Sequence, residues 1–95
     1  MKWCIRVHPG AVRELGKVPL PARQEIARAI DSLSDEPRPS GAEKLSGVDA
    51  LRLRCGDYRI IYCVRPAESL VLILKVGDRR DVYRHLDTIR SRLKR

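Results

Sequence analysis

The spacing of apolar residues changes several times along this 95-residue chain, and each change predicts a new structural element. Alternation of apolar and polar positions indicates a strand, whereas recurrence every three or four residues indicates a helix. The predicted elements, in order, are a strand over 3–8, helices over 11–17 and 21–33, strands over 50–55, 58–64 and 70–76, and a helix over 82–93. The prolines, serines and glycines between residues 34 and 47 predict a loop.

These elements predict one α+β domain over residues 1–95, in the order β-α-α-β-β-β-α. The short connections between the last three strands favour antiparallel neighbours, so the sheet is expected to be four-stranded and mainly antiparallel. The run Leu70–Leu74 is continuously apolar, which is typical of a central strand buried on both faces. The two N-terminal helices are expected to pack on one face of the sheet, and a C-terminal helix completes the domain.

Positive charge is concentrated in the second half of the chain. The net charge is +8, and residues 51–95 hold 12 lysines and arginines against 5 acidic residues. Arginine outnumbers lysine 15 to 5, and a planar guanidinium group can bind two phosphate oxygens at once. Nucleic acid is therefore the leading partner class, and a generic cationic surface is the alternative.

Three arginines are predicted to share one face of a β-hairpin. A turn at Gly56-Asp57 places Arg54 opposite Arg59, with Arg52 on the same side of the sheet. Like charges directly opposite each other destabilise a strand pair, so a sequence that accepts them is expected to meet a polyanion there. The other face carries the residues expected to bury against the helices, namely Leu51, Leu53, Ile60 and Tyr62.

The cysteines and histidines suggest neither a disulfide framework nor a metal site. Cys4, Cys55 and Cys63 are odd in number and lack a C-x-x-C spacing, so they are expected to be reduced thiols. His8 and His85 are solitary, which is more typical of structural or exposed histidines than of ligands. The chain opens with no signal-peptide pattern and contains no apolar run of the roughly 20 residues that cross a membrane. These features predict a cytoplasmic protein with no membrane partner.

Two motifs and the order of the elements resemble those of a known family. The hairpin carries Gly-Asp-Tyr-Arg at 56–59, the last strand leads into Val-Gly-Asp-Arg-Arg-Asp-Val-Tyr at 76–83, and Lys-Leu-Ser-Gly stands at 44–47. Over nearly its whole length the chain resembles the RelE/ParE family of bacterial and archaeal toxins. RelE-type members look like ribosome-dependent endoribonucleases that cut mRNA in the A site. The resemblance therefore implies three partners, which are mRNA, the ribosome with its RNA, and an inhibitory antitoxin in an oligomeric complex.

The resemblance also implies roles for individual residues. Arg59 matches an arginine that contacts the scissile phosphate, Arg79 one that stabilises charge, and Tyr83 a tyrosine that orients the nucleotide or removes a proton. The implied reaction is attack of a ribose 2′-OH on the adjacent phosphate, without a metal or a cofactor. Arg52 and Ala50 stand where RelE-type enzymes commonly have lysines, and arginine is a poor general base because it stays protonated. Further phosphate-binding or RNA-binding candidates are Arg52, Arg54, Lys44, Arg80 and Arg84.

Other functions are compatible with the same residues. A ParE-like inhibitor of DNA gyrase would share the fold without catalysing any reaction. A third alternative is a family member that binds RNA or an antitoxin but has little or no catalytic activity.

Several candidate residues also have purely structural interpretations. Arg80 stands between acidic neighbours, where it could make only surface ion pairs, which are worth little. Arg84, Arg90 and Arg92 are expected on the solvated side of the last helix. Tyr58 and Tyr62 are expected to pack in the sheet or the core.

Overall fold

The computed structural model describes residues 2–94, and the side chain of Tyr83 lies outside the described part. Its strands are β1 (Cys4–Val7), β2 (Glu43–Lys44), β3 (Leu51–Cys55), β4 (Tyr58–Arg65) and β5 (Leu70–Asp78). Its α-helices are α1 (Pro9–Gly16), α2 (Leu20–Ser32) and α3 (Leu86–Leu93), and two short 3-10 helices span Pro66–Glu68 and Asp81–Arg84. The predicted α+β class and the order of the predicted elements are confirmed.

The sheet has five strands within residues 2–94, in the order β1-β5-β4-β3-β2. β1 pairs with β5 in parallel, and the other neighbours are antiparallel, so the prediction of a mainly antiparallel sheet is confirmed. The predicted count of four strands was one too low, because β2 lies in the segment that was predicted as a loop. A strand of two residues is too short to show any apolar period, so only its pairing with β3 reveals it.

The β3–β4 hairpin has the predicted register. Arg54 is paired with Arg59, and Leu53 with Ile60. Gly56 in the turn has a φ of 61°, in the left-handed region that glycine enters at little steric cost. The local sequence therefore determines both the turn and which side chains face each other.

Two apolar clusters lie on the two faces of the sheet. α1 and α2 pack on one face, where Ile60 and Tyr62 are fully buried, as the sequence predicts. α3 packs on the opposite face, in a cluster that includes Ile61 and Ile89. β5 contributes side chains to both clusters, so the expected central strand is confirmed. Because Arg52 is paired with Ile61, the arginines of the hairpin belong to the α3 side of the sheet.

Two helix boundaries differ from the predicted ones by more than one residue. α1 begins at Pro9, since proline fits a first helical turn and His8 Nδ1 accepts a hydrogen bond of 3.0 Å from the Gly10 N–H. The predicted last helix is interrupted at His85, which separates the 3-10 helix from α3. None of the helices within residues 2–94 is long and apolar enough to span a membrane.

A carboxylate from α1 takes the place of a strand neighbour along part of β5. The pairing of β1 with β5 ends at Ile73. Beyond it, Glu14 accepts hydrogen bonds from the Val76 N–H at 3.1 Å, from Lys75 Nζ at 2.8 Å and from Arg92 Nη1 at 3.0 Å. Lys75 is only 4% exposed, so the ion pair is largely withdrawn from water.

Arg92 is therefore not on the solvated side of the last helix, where the sequence predicts it. Its Nη1 also donates to the Leu74 carbonyl at 2.9 Å, and its guanidinium group packs so closely on Gly10 that a Cβ there would collide with it. The Glu14 network thus ties α1, β5 and α3 together.

Glu14→Gln is expected to lower the free energy of unfolding by about 3 kcal/mol, because it leaves the buried Lys75 without a counter-charge. Burial opposes ionisation of Glu14, but hydrogen bonds from Arg92, Lys75 and Val76 outweigh it and lower its pKa below 4.5. The stabilisation is therefore present above pH 4.5 and is lost as the pH falls through the lowered pKa. Urea unfolding at pH 7 and pH 3 measures the free energy of unfolding. The difference in this free energy between Glu14→Gln and the unaltered protein should be smaller at pH 3. The exposed Glu25→Gln is the control, and an equal loss of stability in that variant at pH 7 would refute the network's role.

Tyr62→Phe is expected to destabilise the fold by about 1–2 kcal/mol. The Tyr62 hydroxyl is buried and donates a hydrogen bond of 2.8 Å to the Pro37 carbonyl, and burial raises the pKa of Tyr62 to about 12. Removing the hydroxyl leaves that carbonyl without its partner. Tyr58→Phe is the control in thermal unfolding. The Tyr58 hydroxyl forms no hydrogen bond with the described part of the chain. Equal melting temperatures for the two variants would contradict the stabilising role of the hydrogen bond from Tyr62 to Pro37.

Candidate nucleic-acid interface

The hairpin turn and the exit of β5 meet at one end of the sheet. Arg59 on β4 is paired with Gly77 on β5, and the Arg79 N–H donates a hydrogen bond of 2.9 Å to the Asp57 carbonyl in the turn. The chain that leaves β5 is therefore fastened to the turn of the neighbouring hairpin. This contact brings the two predicted motifs into one region.

Three arginines of this region act electrostatically on a fourth, Arg59. The pKa of Arg59 is lowered, first by burial and then by the positive charges of Arg54, Arg52 and Arg79. We call these four residues the arginine cluster. Because the other three cations repel Arg59, an anion placed among them would bind favourably.

Arg59 is the most enclosed member of the arginine cluster. Only 8% of the residue is exposed, and its Nη1 donates to the carbonyls of Gly56 at 3.1 Å and Tyr58 at 2.9 Å. These two bonds fix the guanidinium group against the turn. Arg54 and Arg79, in contrast, are exposed to solvent.

One acidic residue beside the cluster was not found by sequence reasoning. Glu43 on β2 is paired across the strands with Arg52, and its Oε1 lies 2.5 Å from Arg52 Nη2. The carboxylate is 60% exposed and partly neutralises the cluster. Nothing in the spacing of the sequence connects residues 43 and 52, because their proximity depends on the unpredicted strand β2.

Asp78 shapes the segment that follows β5. Its Oδ1 accepts hydrogen bonds from the backbone N–H groups of Arg80 at 2.9 Å and Asp81 at 2.7 Å, and these bonds lower the pKa of Asp78. The charges of Arg80 and Arg84 also lower it, but neither forms an ion pair in the described part of the chain. The surface ion pair considered for Arg80 is thus not formed. Both arginines are exposed beside the cluster.

Two predicted site residues are not brought into the cluster by the described contacts. Tyr83 belongs to the 3-10 helix Asp81–Arg84, four residues after Arg79, but its side chain lies outside the described part of the structure. Lys44 is paired with Leu51, three residues before Arg54 on β3, which corresponds to about 10 Å along the strand. Lys44 is thus next to Arg52 along the strands but on the opposite face of the sheet, and it lines a different cavity.

The cluster is chemically suited to holding anions. Arginine donates hydrogen bonds and carries a permanent charge but does not accept protons. Among residues 2–94, no group of three or more His, Cys, Asp or Glu side chains is arranged to hold a metal ion. The arginines of the cluster are thus able to bind an anion and balance its charge, but they cannot accept a proton.

The chain is similar to known toxins in sequence and in fold. A family model described as the ParE toxin of the type II toxin-antitoxin system parDE matches residues 5–83. The curated RelE1 toxin-family protein of Methanocaldococcus jannaschii is 25% identical over 89 residues, which cover 90% of this chain and 99% of the relative.

Two solved toxin–antitoxin complexes contain a chain of the same fold. The RelBE2 complex of Mycobacterium tuberculosis matches with a TM-score of 0.74 and 26% identity, covering 83% of this chain and 100% of that chain. The archaeal RelE–RelB complex of Pyrococcus horikoshii matches with a TM-score of 0.71 and 29% identity, covering 83% and 97%. Since the family model spans most of the chain and these structures share its fold, the chain belongs to the RelE/ParE family of type II toxins.

Proposed function

We propose that this chain is a ribosome-dependent endoribonuclease that cuts mRNA in the A site. The arginine cluster carries the proposal, because Arg54 and Arg52 from β3 and Arg79 from the exit of β5 all lie close enough to act on the charge of the nearly buried Arg59. A fold tolerates such repulsion where a bound anion relieves it during function. RNA phosphate is an anion of the right geometry for guanidinium groups.

In the proposed reaction, the ribose 2′-oxygen bonds to the adjacent phosphorus and the bond from phosphorus to the 5′-oxygen breaks. The 2′-OH proton passes to a base, and the leaving 5′-oxygen takes up a proton. Arg59 and Arg79 stabilise the negative charge that develops on the phosphoryl oxygens. Because the RNA supplies its own nucleophile, positioning and charge stabilisation are the main tasks of the protein.

Arg59 is suited to act without reorganisation. Two backbone carbonyls already hold its Nη1, so the orientation of its guanidinium group is set before RNA binds. A charge that is fixed in place stabilises a transition state better than one that must first be ordered. Arg54 and Arg52 are proposed to bind the flanking phosphates.

Tyr83 is proposed as the base or as a residue that stacks on the nucleotide. Cations near a tyrosine favour the phenolate form and so make it a better proton acceptor. Arg52 cannot take this role because it stays protonated, and Ala50 has no ionisable group. The absence of lysine at these two positions makes the identity of the base the most informative point to test.

An antitoxin is the proposed inhibitory partner. The similar RelBE2 and RelE–RelB structures are complexes of a toxin with its antitoxin. With a net charge of +8, this chain would attract an acidic segment, and carboxylates over the arginine cluster would compete with RNA phosphates.

Inhibition of DNA gyrase is the second candidate function. It is kept because the matching family model is named for ParE. The similar solved structures are of RelE-type toxins, the branch of the family for which the resemblance implies mRNA cleavage, and this likeness supports the nuclease instead. A supercoiling assay separates the two, since inhibited gyrase with intact mRNA would overturn the nuclease proposal.

Arg79→Ala is expected to slow mRNA cleavage on translating ribosomes on the order of 10²–10³-fold, because it removes one charge that stabilises the transition state. Tyr83→Phe should also slow cleavage strongly if the hydroxyl moves a proton. Cleavage is measured by mapping the 5′ ends of the mRNA, with thermal unfolding as the test of folding.

The matched control is Arg28→Ala, which removes the same charge from an exposed position on α2. It should cleave at nearly the rate of the unaltered protein. If both Arg79→Ala and Tyr83→Phe fold and cleave at full rate, the assignment of this site is wrong.

Glu43→Gln is expected to strengthen RNA binding several-fold, because it releases Arg52 from its ion pair. The number of phosphates neutralised should rise by about one, which steepens the dependence of affinity on salt. Glu25→Gln changes the net charge equally but lies on α2. Affinity measured by fluorescence anisotropy at several salt concentrations distinguishes the two variants, and identical curves would argue against release of Arg52.

A further inference from the structure

A second cationic cavity lies at the end of the hairpin away from the turn. It has a volume of about 240 Å³, and its charged lining residues are Arg38, Lys44, Arg65 and Asp49. Three positive charges thus face one negative charge. We call this cavity the distal pocket.

The cations of the distal pocket stand on separate parts of the fold that are each held in place. Arg65 Nη2 donates a hydrogen bond of 2.8 Å to the Leu93 carbonyl at the end of α3. Arg38 follows Pro37, whose carbonyl accepts the buried Tyr62 hydroxyl, and Lys44 lies on β2. Because these anchors are formed before any ligand arrives, binding does not require the pocket to be assembled.

Arg38 and Lys44 are exposed, and neither side chain forms an ion pair with a residue of the described range 2–94. Asp49 likewise forms no ion pair in that range. The net positive charge of the pocket is therefore available to an anion from outside the chain. A small, partly enclosed cavity with cations on several sides suits a compact anion such as a phosphate group.

The distal pocket and the arginine cluster lie along the same two strands. Lys44 is opposite Leu51, which adjoins Arg52 and lies about 10 Å along β3 from Arg54, and Arg65 is roughly 20 Å along β4 from Arg59. A single-stranded nucleic acid carries phosphates at short, regular intervals, so one strand a few nucleotides long could reach both places. Phosphate contacts of this kind position a nucleic acid without reading its sequence.

We propose that the distal pocket is a second phosphate-binding subsite, which holds the RNA backbone several nucleotides away from the phosphate in the arginine cluster. The choice of RNA as the ligand rests on the proposed function. The subsite fixes the register of the RNA strand along the hairpin. It thereby gives Lys44 a role in RNA binding that is separate from the arginine cluster.

The test uses oligonucleotides with 2′-deoxy or 2′-O-methyl riboses, which cannot be cleaved, in a dinucleotide and an octanucleotide. The double variant Arg38→Ala/Lys44→Ala should lose on the order of tenfold in affinity for the octanucleotide and almost none for the dinucleotide. For the octanucleotide, the slope of log affinity against log salt should fall by about 0.7, the value for one phosphate on a single strand. Arg13→Ala/Arg28→Ala removes the same charge from exposed positions on α1 and α2 and is the matched control.

Each outcome has a defined meaning. Loss of affinity only for the octanucleotide, and only in the pocket variant, supports the subsite. Equal effects at both lengths, or equal effects in the control, overturn it. Unchanged RNA binding with lost binding of an acidic antitoxin peptide also overturns it and makes the pocket a protein-binding site.

The subsite and the proposed function can fail separately. If the unaltered protein binds neither oligonucleotide, the proposed function in RNA cleavage is itself contradicted. If it binds both, and the Arg38→Ala/Lys44→Ala substitutions leave both affinities unchanged, only the subsite is wrong. Thermal unfolding of the double variant checks that the two substitutions leave the fold intact. We expect an unchanged melting temperature, because both residues are exposed.

Discussion

The register of the β3–β4 hairpin is the constraint on which the rest of the structure depends. Leu53 and Ile60 face each other on the side covered by α1 and α2, where Ile60 is fully buried. A slip of one residue would turn these side chains to the other face of the sheet, so burial holds the register. The same register obliges Arg54 to face Arg59. Apolar packing on one face thus supports a repulsive pair on the other.

Neighbouring elements hold the residues around the repulsive pair in place. The turn carbonyls of Gly56 and Tyr58 hold Arg59, and the Asp57 carbonyl holds the backbone that carries Arg79. Glu14, from the opposite side of β5, fixes the strand just before it delivers Arg79. A buried ion pair and a few backbone hydrogen bonds therefore position charges that would otherwise move apart.

Local patterns predicted much of this molecule and failed where contacts are distant along the chain. The hairpin register follows from a two-residue turn and alternation, so Arg52, Arg54 and Arg59 were correctly placed on one face. The pairing of Glu43 with Arg52 required β2, which is too short to show a period. Arg92 looked like a solvated residue because its helix position was polar, yet its partner Glu14 is 78 residues away.

By itself, the sequence determined the α+β class, the hairpin and its turn, and the presence of a strongly cationic face, because these depend on neighbours a few residues apart. Only the tertiary structure decided which cations act together. It joined Arg79 to the hairpin turn, placed Lys44 in a separate cavity, and buried Lys75 beside Glu14. Electrostatic interactions depend on distance and burial in three dimensions, and the linear pattern records neither. The arginine face that was visible in the sequence thus lies beside Arg79 and along the same strands as a second cationic pocket.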